Sequence, residues 1–166
     1  MQLLVDLIFD YKEWKKVSKT ILFKKCISNC LNLLSISNNK IEVCIFLTSN
    51  NKIKQLNHKF LKNEKETDVL SFPNFNNIDD IKDKSQVYLG DIALAYQFIQ
   101  IRSKNLMLDF NEYVTHTLTH GLLHLLGYRH DTLNEEKKMR KVEKSTLFSL
   151  GLEGERILKS VYNYQG

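Results

Sequence analysis

The chain has 166 residues, 43% of them hydrophobic, enough for one domain over residues 1–166 with a core of its own, and neither an internal repeat nor a Gly/Ser-rich linker divides it. Lys and Arg number 24 against 19 Asp and Glu, a net charge of +5 that suits a polyanionic partner without establishing one. No apolar run approaches the roughly 20 residues that cross a bilayer; Met1–Asp6 lacks the basic leader of a signal peptide, and Cys26, Cys30 and Cys44 form no Cys-x-x-Cys pair. A membrane protein and a disulfide-stapled module are excluded, and a reduced cytoplasmic protein is expected.

Leu3 to Phe9 reads as a short strand, and Tyr11 to Leu34 as one long amphipathic helix through Trp14, Val17, Ile21, Leu22 and Ile27. Lys12, Lys15, Lys16, Lys19, Lys24 and Lys25 form its solvated face, while Cys26 and Cys30, four apart beside Ile27 and Leu31, read as small buried thiols. Ile41 to Leu47 alternates as a strand, and Thr48 or Ser49 caps a helix that carries Ile53 and Leu56 to about Leu61. Val69 to Phe72 is a strand ended by Pro73, the only proline, and the polar stretch 74–85 is expected to be a mobile loop near the functional site. Val87 to Ala93 is a further strand, followed by a helix through Tyr96 and Ile99. Strands interspersed with helices give an α/β or α+β fold of about four strands.

Residues 110–126 hold no proline and no glycine except Gly121. At about 100° per residue, Val114, Leu118, Leu122, Leu125 and Leu126 fall on one helix face and His116, His120 and His124 on the other. Gly127 suits the left-handed turn that stops a helix, and the turn delivers His130. Four histidines then compete for one ion. His116 and His124 are separated by about 12 Å of helix at 1.5 Å per residue, too far for both rings to reach a nitrogen–zinc distance of about 2.0–2.1 Å comfortably. His120, His124 and His130 make the better metal set, with zinc the expected ion and other divalent metals possible. His116 is left to support a ligand or to face substrate, and His58 has no such context. Three imidazoles leave a coordination position for water or substrate, as catalytic rather than structural zinc sites do. Beyond them, Thr132-x-x-Glu135 has capping-box spacing, and Met139, Val142, Leu147 and Leu150 give a last helix its apolar face up to Gly151.

The spacing His-x-x-x-His-x-x-Gly-x-x-His is shared with the metzincin metalloproteases, which place a glutamate directly after the first histidine as general base. Here that residue is Gly121, which takes no proton, so a protease is the minor alternative. The segment His120-Gly121-Leu122-Leu123-His124-Leu125-Leu126-Gly127-Tyr128-Arg129-His130 closely resembles the YbeY family of bacterial endoribonucleases, beside which the other alternative is a non-catalytic, metal-stabilised ribosome-associated protein. Leu56-Asn57, Thr67-Asp68-Val69-Leu70-Ser71-Phe72-Pro73 and Tyr88-Leu89-Gly90-Asp91-Ile92 match further blocks in order, and with Glu135, Met139 and Glu143 the likeness covers about residues 40–150.

The resemblance implies a mixed sheet, a metal-dependent cut of single-stranded RNA, and work in maturing ribosomal RNA at its small-subunit 3′ end and in ribosome quality control. It implies the ribosome or a small-subunit precursor as partner, and no membrane. Two departures stand out. The family's usual arginine after the aromatic is Leu61 here, with Lys62 beside it, and its aspartate before the last histidine is Arg129. Lys62 or Arg129 is the candidate cation for the charge on phosphorus, although lysine lacks arginine's planar fork. Asp91 or Asp131 can take over what the missing aspartate does, and Asp91 reads equally well as a turn residue after Gly90. The nucleophile is either water activated at the metal or the RNA 2′-hydroxyl.

Overall fold

Leu3, Val5, Leu7 and Phe9 alternate with exposed neighbours along β1 (Gln2–Phe9), the pattern of a strand with one face on a core. The structure, a computed structural model, describes residues 1–17 and 20–163. β2 (Lys40–Thr48) runs parallel to β1, with Leu3 opposite Ile41 and Leu7 opposite Ile45. β4 (Gln86–Ala95) runs parallel to β2, and β3 (Val69–Pro73) lies antiparallel on β4, giving the order β1-β2-β4-β3. The fold is α+β, a mixed four-stranded sheet packed with helices, as the sequence led one to expect.

The expected helix from Tyr11 to Leu34 is described as α1 (Trp14–Val17) and α2 (Thr20–Leu33); Lys19 lies outside the described residues. Trp14 is fully buried and donates its indole N–H to the Thr48 carbonyl at 2.9 Å, which ties this entry segment to the end of β2. Ser49 caps α3 (Asn50–Leu61) by accepting from the Lys52 N–H. α3 lays Ile53 on the outer face of the sheet against Leu70, Ala93 and Ala95. The stretch expected as a loop after Pro73 is anchored: Asn77 caps a 3₁₀ turn over Ile78–Ile81, Ile81 is buried, and Asn38 donates to the carbonyls of Ile81 and Lys84.

The other face of the sheet receives α5 (Phe110–Leu125), with α4 (Tyr96–Asn105), α6 (Leu133–Ser149) and α7 (Gly154–Tyr162) around it. α5 differs from expectation, because it is buried on nearly every side from Tyr113 to Leu125 rather than on a leucine face alone. Its threonines tolerate this by turning their hydroxyls onto their own helix: Thr115, Thr117 and Thr119 donate to the carbonyls of Asn111, Tyr113 and Thr115. Gly121 lets β3 and β4 come close, since a Cβ there would stand 3.0 Å from Val69 Cγ2, 3.1 Å from Ile92 Cγ2 and 3.2 Å from Ser71 Oγ. The residue after the first metal-candidate histidine therefore faces the sheet, with no room for the glutamate a metzincin needs there.

Candidate metal centre and the cleft above it

The end of α5 is a Schellman turn. Gly127, at φ +86°, donates to the His124 carbonyl at 3.1 Å, and Tyr128 donates to the Leu123 carbonyl at 2.9 Å. This reversal carries His130 back over the last turn, where its ring lies 5.4 Å from that of His120 and 5.0 Å from that of His124, centroid to centroid. One nitrogen from each of the three rings lies within 4.8 Å of the others. Helical spacing and a glycine stop thus bring together the three residues expected as metal ligands.

The hydrogen bonds behind the rings set their tautomers. His120 Nδ1 lies 2.7 Å from Glu143 Oε1, and His124 Nδ1 lies 3.0 Å from the Tyr128 carbonyl oxygen. Both partners accept, so in the neutral rings both protons sit on Nδ1. The two Nε2 atoms then face each other at 3.0 Å, each with a lone pair and neither with a proton to share. Two such lone pairs repel unless a cation lies between them. Nitrogens held about 2.0–2.1 Å from zinc in a tetrahedral arrangement stand roughly 3.3–3.4 Å apart, so the residues present fit a metal ion. Burial, then the neighbouring His120 and His130, pull the His124 pKa down to about 4, which keeps this ring neutral as a ligand must be.

Glu143 is fully buried on α6. Burial alone would raise its pKa, but the rings of His116 and His120 beside it outweigh burial and hold the carboxylate well below its usual range. Tyr162 donates to its second oxygen at 2.7 Å, and the Arg140 guanidinium lies 3.8 Å over the Tyr162 ring. His116, 5% exposed, packs between Tyr113 and Tyr162; its Nε2 stands 3.5 Å from Glu143 Oε2, and neither ring nitrogen has a hydrogen bond among the described residues. His116, His120 and Glu143 form a second group of metal-ligating types, so His120 belongs to both.

The triad opens into a cleft of about 820 Å³ whose walls include Asp68, Ser71, Phe75, Arg102, Tyr128 and Arg129. Arg129, largely exposed, stands 3.9 Å from Asp131, and both line this cleft. His116 also lines it. Lys62 does not: it ends α3 in the left-handed conformation at φ 53°, and the cleft is reached by Leu61 instead. Asp91 lies apart from the triad on β4, opposite Phe72, and accepts from the Tyr88 hydroxyl at 2.6 Å. His58 is also remote, facing Glu64 at 3.4 Å.

The supporting partners are what residue-by-residue reading misses. The Tyr128 carbonyl carries no side-chain signal at all. Glu143 does: it sits midway between Met139 and Leu147 on the apolar stripe of α6, and a carboxylate four residues from each of two buried apolar side chains marks a buried charge that must have a partner.

The sequence model of the family described as Endoribonuclease YbeY matches residues 8–151. The chain belongs to the YbeY endoribonuclease family. Similar YbeY proteins include that of Acetivibrio thermocellus, 36% identical over 141 residues that span 80% of this chain and 86% of the relative. That of Bartonella bacilliformis is 32% identical over 152 residues, 89% of this chain and 93% of the relative. The solution structure of TM1509 from Thermotoga maritima matches with a TM-score of 0.57 and 22% identity over 89% of this chain and 92% of the other, a likeness of fold. Among the described residues no helix is long and apolar enough to cross a membrane.

Proposed function

We propose that this chain is a zinc-dependent, single-strand-specific endoribonuclease of the cytoplasm. In this reading it matures the 3′ end of small-subunit ribosomal RNA, serves ribosome quality control, and meets its substrate on the ribosome or a small-subunit precursor. The observation that carries the metal dependence is the pair of Nε2 lone pairs facing each other at 3.0 Å at the floor of an open cleft. His120, His124 and His130 would hold the ion; family membership supplies the RNA.

Zinc in this place supplies a Lewis acid for a phosphoryl oxygen or for a water molecule. The chain's own residues do the rest. Glu143 and Tyr162 fix the ring plane of His120, the Tyr128 carbonyl fixes that of His124, and burial keeps His124 unprotonated. Arg129 at the rim offers a guanidinium to the phosphate backbone. Arg102, on the same wall as Asp68 and Tyr113, gives the cleft a second positive position. Gly121, packed on the sheet, offers no general base, which argues against peptide hydrolysis. The group has three histidines rather than the four ligands of a closed structural site, which argues for chemistry over mere stiffening.

The test is cleavage of a single-stranded RNA by the zinc-loaded protein beside a His124→Ala variant prepared identically, with bound zinc measured in both. Cleavage and zinc by the wild type alone support the reading; equal cleavage by both removes its centre.

A further inference from the structure

β3 is an edge strand, and its free edge runs along the cleft that holds the three histidines. Its register tells which backbone groups that edge presents. Ala95 donates to the Asp68 carbonyl at 2.9 Å and Asn74 donates to the Leu89 carbonyl at 3.1 Å, while Leu70 stands opposite Ala93 and Phe72 opposite Asp91. Residues 68, 70, 72 and 74 are therefore the positions whose N–H and C=O bond to β4, and those of Val69, Ser71 and Pro73 point out of the sheet. Pro73 has no N–H, and the Val69 carbonyl is met by Thr67 Oγ1 at 3.4 Å. Ser71 is left as the one residue of β3 that offers the cleft both a donor and an acceptor with no partner among the described residues. Its side chain does not cover them, because Oγ is spent on the Gly121 carbonyl at 2.9 Å. That bond pins Ser71 to the residue next to His120.

We infer that the Ser71 N–H and C=O form a subsite for the Watson–Crick edge of one unpaired nucleobase, held beside the bond that is cut; this rests on the RNA reading above. Each of the four bases carries a donor next to an acceptor on that edge, so one backbone amide pair accepts any of them, provided the base is not already paired. The requirement for single strands then follows from the strand edge itself, without a side chain that reads sequence. Phe75 and Tyr128 on the cleft walls add ring surface of the kind on which unpaired bases stack. An extended peptide would need alternate residues that each present both groups, and here Val69 keeps only its N–H and Pro73 only its C=O, so Ser71 alone presents both.

The test uses the wild-type, zinc-loaded protein and short single-stranded RNAs with N1-methyladenosine or 7-deazaadenosine next to the cleaved linkage. Methylation blocks the Watson–Crick edge, and cleavage at that linkage should fall about tenfold or more, the loss of at least one hydrogen bond to a desolvated site. The 7-deaza base, altered only on its other edge, should be cut as the unmodified one. In parallel, Ser71→Pro removes an N–H that the ladder does not use, whereas Ser71→Ala removes only the hydroxyl. On folded variants, checked by thermal melting, affinity for a fluorescent RNA should fall about tenfold further in the first than in the second. Equal cutting of methylated and unmodified RNA overturns the inference while leaving the nuclease intact, as does equal loss in the two Ser71 variants. Indifference to methylation together with inhibition by an extended peptide assigns the edge to polypeptide and also overturns it. Unmodified RNA neither cut nor bound by the wild type overturns the nuclease reading and the inference with it.

Discussion

Two groups of metal-ligating side chains share His120, and they are built to opposite ends. In His116, His120 and Glu143 the charge is already answered: the carboxylate has His120 on one oxygen and Tyr162 on the other, and Glu143 is fully buried. In His120, His124 and His130 the inward Nε2 atoms of the first two have no donor between them, and the cleft opens above. Both groups contain ligand types, and in the first His116 is left without a hydrogen bond; only in the second do two lone pairs face each other beneath an open cleft. A ligand set is recognised by where its unsatisfied lone pairs converge more than by which residues compose it, and the Glu143 carboxylate of the first group supports the second through His120.

The sharpest way to break that comparison is to remove one member peculiar to each group. His130→Ala and His124→Ala should lose bound zinc and reduce RNA cleavage by about a thousandfold or more, since two imidazoles hold the ion poorly. His116→Ala should retain most of both. Zinc content by mass spectrometry and initial cleavage rates check this, and the reverse order would move the metal to the Glu143 group. Glu143→Gln comes next: it keeps an acceptor for His120 but removes the charge, and zinc affinity should fall by about 10–100-fold, read by competition with a chelating dye. Gly121→Ala places a methyl 3.0–3.2 Å from Val69, Ile92 and Ser71. Overpacking costs about 1–3 kcal/mol against a helix-propensity gain of about 1 kcal/mol, so a net loss in chemical denaturation is expected. Tyr162→Phe removes one donor from the buried Glu143 carboxylate and should cost about 1.5–3 kcal/mol in stability, with zinc affinity changed only a few-fold.

The smallest expected effect lies on the far side of α5, where Cys26 meets Thr119 at 3.2 Å. Burial pushes the Cys26 thiol up to about 11 and Cys30 up to about 12 from the ordinary 9.0. In the unfolded chain these thiols ionise first, so the stability they contribute is complete below about pH 9 and is lost as pH rises toward 11 and 12. Melting temperature should decline over that alkaline window, and native protein at pH 8 should resist a thiol reagent that labels it after unfolding.

The triad was legible because it is local. Two histidines four apart and a glycine stop before the third specify their own geometry, and the Schellman turn at Gly127 delivers what the spacing promised. Lys62 and Asp91 illustrate the opposite case. Whether a residue beside a motif faces the site depends on a helix ending one residue earlier, or on a strand kinked at Gly90, where φ is +132° and a Cβ would stand 2.2 Å from the Phe72 carbonyl. Neither is written in the residue's own neighbourhood. The amphipathic reading of α5 failed for a related reason: threonines count as polar in a periodic pattern, yet three of them satisfy themselves within the helix and go inside. Residues beyond Gly151 carried too short a pattern to read, and α7 takes its place through Ile157 and through Tyr162 on Glu143.

The central burial of α5 also orders the molecule's fluctuations. A helix enclosed by the sheet and by α2, α4, α6 and α7 exchanges its amide hydrogens only when most of the structure opens, whereas a surface helix such as α3 exchanges through cheaper local openings. His120 and His124 lie on this buried element, so local openings at the rim that admit or release a long substrate should leave the spacing of the two rings unchanged.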